Sequence, residues 1–242
     1  MATDATDAVV SPVVAPTTLE ETVERLGSAI RAGLLPAGRR LPAERELAEQ
    51  LRISRSTLRQ ALGALADSGH LVATRGRGGG TFVVDAPPLG GRGSGTALPA
   101  DWRDRVAVRR VHEVGVACLA AERAAADPAG VAAGLEGLDA QVAAMAGATD
   151  FAAYRRADVA LHVGLAELTG VPALVLRAAE LQAEATDLIA QIAHPRAVLT
   201  HSNAEHRRLL AAVGRGDVAA AVRTMRRHLA GTEHVLAGLA PA

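Results

Sequence analysis

Apolar residues recur at helical spacing along most of the chain, and this pattern predicts a mainly α protein. The first helix is expected to begin near Thr18 and to stop at Gly33, since glycine is common just beyond a helix end. Its buried face is formed by Leu19, Val23, Leu26 and Ile30. Residues 1–17 show no such periodicity, which predicts a disordered tail.

Two shorter helical patterns and two β-branched runs follow. The helices are expected at Ala43–Leu51, after Pro42, and at Arg55–Ser68, with Ser54 as N-cap. The runs Leu71–Thr74 and Thr81–Val84 flank the segment R-G-R-G-G-G and predict an antiparallel hairpin. Three helices plus a small β-hairpin wing indicate a winged helix-turn-helix over residues 18–85.

Residues 86–101 are rich in proline and glycine, which indicates a linker. Helical periodicity then continues over residues 102–238 and predicts a C-terminal all-α helical bundle. Ser202 with Glu205 is expected to form a capping box, and Asp217 an N-cap. The helices are expected near 102–126, 128–147, 150–169, 172–193, 202–214 and 217–238.

Composition agrees with packed helices, because aromatic residues make up only 2% of the chain and alanine is abundant. The formal net charge is zero, yet residues 39–77 carry eight arginines against four acidic residues, which suits a polyanionic partner. The single cysteine, Cys118, excludes an intramolecular disulfide and a Cys-based zinc site. Neither a signal peptide nor a membrane helix is predicted, so we expect a soluble, cytoplasmic protein without a membrane partner.

The second helix of the pair is the one that enters the DNA major groove in this motif. Its N-terminal end carries Arg55, Ser56, Thr57 and Arg59. Arginine can donate two hydrogen bonds to guanine, and hydroxyl groups suit phosphates. At the wing tip, Arg75, Gly76 and Arg77 are expected to follow a minor groove. The sequence therefore predicts binding to double-stranded DNA.

The motifs L-P-A-E-R-E-L-A and S-R-S-T-L-R resemble the GntR family of bacterial transcription regulators over residues 18–84. The resemblance implies that Arg45, Arg55, Arg59, Arg75 and Gly76 contact operator DNA. For Arg45, an ion pair with Glu49 at i, i+4 is the alternative. Two positions depart from the family pattern: Arg52 replaces a usual glycine, and Gln60 a usual glutamate. Arg52 would strain the turn if its φ is positive, or it would add a phosphate contact.

Asp158 and His162 lie four residues apart on one helix, so both project from one face, and His206 and His228 lie on two further helices. Three imidazoles and a carboxylate suit Zn²⁺, and also Ni²⁺ or Mn²⁺. The motifs D-V-A-L-H, E-H-R-R-L-L-A-A-V-G-R-G-D and M-R-R-H-L are similar to the FadR subgroup, whose C-terminal domain often binds a metal through such a set. A hydrogen-bonded core or surface role is the alternative for each histidine.

The same resemblance implies a small organic acid or sugar acid as effector, with Arg109 meeting its carboxylate. A surface salt bridge with Glu113 is the alternative for Arg109. Val171 stands where Gly-Asn-Pro is common in the family, which weakens the transfer of effector contacts at that turn. We expect a homodimer on a two-fold symmetric operator, since symmetry doubles the contacts of one short helix.

The sequence thus predicts an effector-controlled transcription regulator, acting as a repressor, and not an enzyme. Three alternatives stay open. A metal-dependent hydrolase lacks H-E-x-x-H and an evident general base. A regulator without metal would respond to a larger ligand or only dimerise. A sheet-containing sensor domain disagrees with the helical periodicity after residue 102.

Overall fold

A computed structural model describes residues 18–31, 34–76, 79–84, 98–192 and 194–239. The expected tail at 1–17, most of the expected linker and the wing residue Arg77 lie outside these ranges. The described residues form two compact units. One contains the described parts of 1–99, 189–199 and 231–242, and the other contains 100–188 and 200–230.

The first unit contains the expected winged helix-turn-helix. Its helices are α1 (Thr18–Arg31), α2 (Glu44–Leu51) and α3 (Arg55–Asp67), followed by strands β1 (Leu71–Thr74) and β2 (Gly80–Val83). Both α1 and α2 pack against α3, and α3 also contacts β1. Five leucines of these helices are fully buried, and each contributes about 1.5–3 kcal/mol by leaving water. They are Leu26, Leu47, Leu51, Leu58 and Leu65.

The hairpin is held to the helices by the chain that precedes α2. β1 and β2 are antiparallel, with Leu71 opposite Val83 and Thr74 opposite Gly80. The backbone N–H of Leu41 donates to the carbonyl of Thr81 at 2.9 Å, and that of Val83 donates to Arg39 at 2.9 Å. This extra pairing satisfies an edge of the hairpin and fixes the base of the wing.

The second unit consists of helices and the short turns that join them within its described residues, as expected. Successive helices α4, α5 and α6 pack on one another in all three pairings. Small residues allow close approach, since a Cβ added at Gly164 would lie 2.5 Å from Leu138 Cδ2. Across the described ranges, no helix has the length and apolar character needed to cross a membrane. The helices after residue 100 are α4 (Trp102–Ala126), α5 (Pro128–Gly147), α6 (Phe151–Leu168), α7 (Pro172–Ile189), α8 (Arg196–Gly214) and α9 (Val218–Leu239).

The last turns of α9 belong to the first unit and pack against α1. A Cβ added at Gly27 would lie 2.2 Å from the carbonyl oxygen of Gly238, so the two backbones are nearly in contact there. The side chain of His234 pairs with Glu24 in the same interface. The end of the chain therefore covers part of the first helix.

One expected helix start was wrong. α8 begins at Arg196, directly after Pro195, whose carbonyl accepts the N–H of Leu199 at 3.2 Å. Ser202 and Glu205 lie inside that helix and form no capping box. The expected caps at Ser54 and Asp217 are confirmed. Their side chains accept the N–H groups of Thr57 at 3.0 Å and Ala220 at 2.9 Å.

Candidate nucleic-acid interface and metal centre

The N-terminal end of α3 presents polar side chains to solvent while its other face is buried. Arg55, Ser56 and Arg59 are exposed, and Thr57 is half-buried. The hydroxyl of Ser54 lies 2.7 Å from those of both Ser56 and Thr57, so these side chains belong to the cap network of the helix. The helix start that a major groove would meet is therefore fixed by its own hydroxyl groups.

Two of the expected DNA-contacting arginines form surface ion pairs. Arg45 donates to Glu49 at 3.0 Å, as the alternative interpretation expected, and Arg59 lies 3.2 Å from Glu44. Both arginine side chains are about 70% exposed, and pairs of this kind contribute only about 0–1 kcal/mol. Either guanidinium can exchange its carboxylate for a phosphate at small cost. Arg55 makes no ion pair within the described residues and is exposed.

The wing tip is shaped by glycine. Gly76 has φ 99, a left-handed conformation that other residues rarely adopt, and Arg75 beside it is exposed. Arg40 donates to the carbonyl oxygen of Gly79 at 2.7 Å, and a Cβ added at Gly80 would lie 2.7 Å from Arg40 Nε. The hairpin thus closes on the side chain of Arg40, a contact that the sequence pattern did not predict.

The turn between α2 and α3 is strained at Arg52. This residue has φ 54° and ψ 41°. It is the one non-glycine residue with positive φ in the described ranges. A left-handed conformation costs an L-residue about 1–2 kcal/mol, and glycine avoids most of that cost. The sequence-based concern about this position is therefore justified by the backbone geometry.

Arg52→Gly should raise the free energy of unfolding by about 0.5–1 kcal/mol, because relief of strain outweighs the extra freedom of the unfolded chain. Urea unfolding of the purified protein measures this change. The matched control is Arg45→Gly inside α2, which should lower stability by about 1 kcal/mol. A variant at position 52 that is less stable than the parent would contradict the strain assignment.

Three histidines from three helices meet in the core of the second unit. His162 on α6, His206 on α8 and His228 on α9 are each at most 5% exposed. One ring nitrogen of each lies within 4.8 Å of those of the other two. Nε2 of His206 lies 3.2 Å from Nε2 of His228, so these nitrogens face a common centre.

Asp158 adds a carboxylate to this group, which we name the histidine cluster. Its Oδ1 lies 3.5 Å from Nε2 of His206 and 3.9 Å from Nε2 of His162. Its other oxygen pairs with Arg155. Burial acts to raise the pKa of Asp158, but the charges of His162 and Arg155 outweigh it and hold the pKa below its usual value. The carboxyl group is therefore ionised at neutral pH, as a metal ligand must be.

The spacing of the histidine cluster fits a divalent ion. Ligands about 2.05 Å from a tetrahedral Zn²⁺ lie about 3.3 Å from one another. The separations of 3.2 Å and 3.5 Å around His206 are close to that value. Burial and the neighbouring His228 hold the pKa of His206 well below its usual value, which keeps its imidazole neutral and able to ligate.

Arg109 is buried, but it already has a carboxylate partner. Its Nε donates to Oε1 of Glu113 at 2.6 Å, and both side chains are about 5% exposed. The expected alternative, an i, i+4 pair, is therefore formed inside the protein and not on its surface. Burial acts to raise the pKa of Glu113, yet Arg109 and His162 hold it below its usual value.

Comparison with known proteins agrees with this organisation. Residues 18–83 match the family described as bacterial regulatory proteins, gntR family, and residues 104–231 match the FCD domain. The chain belongs to the GntR family, in the group with an FCD domain. Members of this family are transcription regulators and not enzymes.

Several regulators are similar to parts of this GntR-family chain. RmpR of Mycobacterium gastri is 38% identical over 93 residues, which are 38% of this chain and 32% of RmpR. The repressor NagR of Bacillus subtilis is 49% identical over 61 residues, or 25% of this chain and 24% of NagR. An Escherichia coli protein named for the L-lactate dehydrogenase operon is 47% identical over 64 residues, which are 26% of this chain and 24% of that protein. The chain therefore matches a third or less of the length of each of these relatives.

Solved structures of GntR proteins are similar over most of the chain. GntR of Streptococcus agalactiae is 25% identical with a TM-score of 0.43, covering 88% of this chain and 97% of that one. A GntR-family regulator of Pseudomonas syringae is 22% identical with a TM-score of 0.45, covering 96% of this chain and 94% of that one.

The second unit contains the match to the FCD domain, and we call it the FCD unit. It also contains buried polar residues that the sequence analysis of this GntR-family chain did not identify. Arg155 contacts Asp158, Gln182 and Thr186, and Glu205 contacts Arg227. The spacing of Arg155 and Asp158 at i, i+3 was a visible signal for their pair. The contacts with α7 carried no local signal, because Gln182 is 27 residues away along the chain.

Proposed function

We propose that this protein is a homodimeric repressor of the bacterial cytoplasm whose affinity for a two-fold symmetric operator is controlled by a small organic acid or sugar acid. The observation that carries the proposal is the buried histidine cluster with its ionised Asp158, in a chain whose other part is a winged helix-turn-helix. A group with this donor set is suited to a divalent ion, with Zn²⁺ first and Ni²⁺ or Mn²⁺ as alternatives.

For the DNA contacts, we assign base reading to Arg55 and Arg59 and backbone contacts to Arg45, Ser56 and Thr57. Their exposure and their weak ion pairs support this assignment. On the wing, Arg75, Gly76 and Arg77 are assigned to the minor groove, supported by the exposed tip at residues 75 and 76. A symmetric pair of such units would read two half-sites about one helical turn apart.

For the sensor, we propose that Asp158, His162, His206 and His228 hold the ion in the FCD unit. When bound, a divalent ion would supply Lewis-acid chemistry, and a coordination position beyond the four protein ligands would be available to a carboxylate of the effector. The E. coli relative is named for an operon whose enzyme acts on a small acid, and a small acid is the class of effector that we propose here. NagR, named as a repressor, supports the sign of the regulation. Control requires that the effector bind two states of the protein with different affinity.

Arg55→Ala tests the DNA reader. An operator is first selected from a random duplex library with the full-length protein, and its affinity is measured by fluorescence anisotropy. Loss of one bidentate contact in each half-site, two in the dimer, should weaken binding to the selected operator by about 30-fold or more and relax the preference at one base pair per half-site.

Arg156→Ala, which removes an exposed arginine of α6, is the matched control and should bind as the parent does. If the Arg55 variant keeps both the affinity and the base preference of the parent, the assignment of α3 as reader is wrong. A uniform loss across all duplexes, with a salt slope lower by about two units (one for each subunit), would reassign Arg55 to a phosphate.

A further inference from the structure

We propose that Glu113 and Glu205 are positioning residues that hold two imidazoles of the histidine cluster with their Nε2 atoms directed at the ion. This inference rests on the metal site proposed above. It assigns a role to two buried carboxylates that are not themselves part of the cluster, and the effector role expected for Arg109 stays a separate prediction.

Glu113 is fixed by three other residues in the core of the second unit. Its Oε2 lies 2.5 Å from Nδ1 of His162. Its Oε1 accepts from Arg109 Nε at 2.6 Å and from Gln182 Nε2 at 2.7 Å. Because Arg109 and Gln182 both donate to Oε1, Oε2 is the oxygen that remains for the imidazole of His162. The separation of Oε2 and Nδ1 is within hydrogen-bond distance, although the two atoms do not form a hydrogen bond in the present ring orientation.

Glu205 repeats this arrangement at the second imidazole. It is 2% exposed, and its Oε1 accepts from Arg227 Nε at 2.9 Å. Its Oε2 lies 3.6 Å from Nδ1 of His228, within a small movement of hydrogen-bond distance. Each glutamate thus uses one oxygen for an arginine and directs the other at the Nδ1 atom of a cluster histidine.

The chemical consequence concerns which nitrogen carries the proton. A neutral imidazole has one N–H group, and a carboxylate beside Nδ1 favours the proton on that atom. The Nε2 lone pair is then free for an ion, and the carboxylate also makes the ring more basic as a ligand. His206 differs, because its buried Nδ1 has no hydrogen-bond partner among the described residues. A glutamate carboxylate therefore lies beside Nδ1 in two of the three cluster imidazoles, those of His162 and His228.

Glu113→Gln in the full-length protein tests this proposal with Zn²⁺ alone as the probe. Removal of the carboxylate charge should weaken Zn²⁺ affinity about 10–100-fold in competition with a chromophoric chelator. ¹⁵N NMR of the metal-free protein should show a lower share of the Nδ1–H form of His162. Glu205→Gln should lower the affinity and the Nδ1–H share of His228 in the same way.

Two further variants keep the result interpretable. Glu113→Gln leaves Arg109 buried without its charge partner, so Arg109→Met combined with Glu113→Gln removes both charges and protects the fold. This double variant should show the same loss of Zn²⁺ affinity. Glu136→Gln, an exposed change on α5, should bind Zn²⁺ as the parent does.

The proposal is overturned if the glutamate variants keep parental Zn²⁺ affinity and parental histidine tautomers. That result, together with loss of Zn²⁺ in a cluster-histidine variant, would leave the metal site intact and reject only the positioning role. A parent protein that takes up no Zn²⁺, Ni²⁺ or Mn²⁺ would reject both the metal site and the positioning role.

Discussion

His206→Ala is expected to abolish tight binding of a divalent ion. The Nε2 atom of His206 lies close to two other donors, 3.2 Å from His228 Nε2 and 3.5 Å from Asp158 Oδ1. A ligand that binds only the native state adds about 2.7 kcal/mol at one hundred times its Kd. The parent should gain this stability with Zn²⁺, and the variant should gain almost none. Metal content after purification without chelators and thermal unfolding with and without Zn²⁺ measure the difference.

The control for this experiment lies on the same helix. His201 is one turn from the cluster, 31% exposed at its side chain, and 3.9 Å from Glu205. His201→Ala should therefore retain the ion. Loss of the buried ring will also lower the stability of the metal-free His206 variant, so the informative quantity is the Zn²⁺-induced shift. Stoichiometric metal retained by the His206 variant would exclude this residue as a ligand.

The sequence could predict a ligand pair wherever both residues share one helix. Asp158 and His162 are four residues apart, and a helix alone brings them to one face. Their meeting with His206 and His228 depends on how α6, α8 and α9 pack. Only the family resemblance supplied that part of the prediction, because no local pattern encodes a contact between helices so far apart in the chain.

Arg109 shows the same limit for a single residue. The i, i+4 spacing with Glu113 predicted the pair but placed it on the surface. Burial follows from the packing of α4 beside α6 and α7, where His162 and Gln182 also contact Glu113. On the surface, the ion pair of Arg109 and Glu113 would be a weak contact. Inside the second unit, the same pair holds the carboxylate that we propose to position His162.

The start of α8 shows why caps can mislead. Ser202 and Glu205 have the residue types and spacing of a capping box, but the helix begins six residues earlier. In the structure, Glu205 contacts Arg227 and lies beside His228, so its position serves the core and not a helix end. A residue that matches a local capping motif can therefore instead make a contact with a residue far away in the sequence.

Buried charged side chains of the second unit form ion pairs with one another. Breaking one of these pairs is the basis of the second large expected effect, a loss of stability. Arg155 is 4% exposed and donates to Thr186 Oγ1 at 3.0 Å, to Gln182 Oε1 at 2.8 Å and to Asp158. Arg155→Met keeps most of the volume of the side chain but leaves Asp158 as a buried charge without its arginine partner. The free energy of unfolding should fall by about 3–5 kcal/mol, as measured by urea denaturation of the metal-free protein.

Two controls separate the charge from the packing in this case. Arg156→Met changes the exposed neighbour and should alter stability by less than about 0.5 kcal/mol. Arg155→Met combined with Asp158→Asn removes both charges and should recover much of the loss, since no uncompensated charge remains. If the single Arg155 variant unfolds as the parent does, the ion pair does not stabilise the fold. If the double variant is no more stable than the single one, the loss comes from packing.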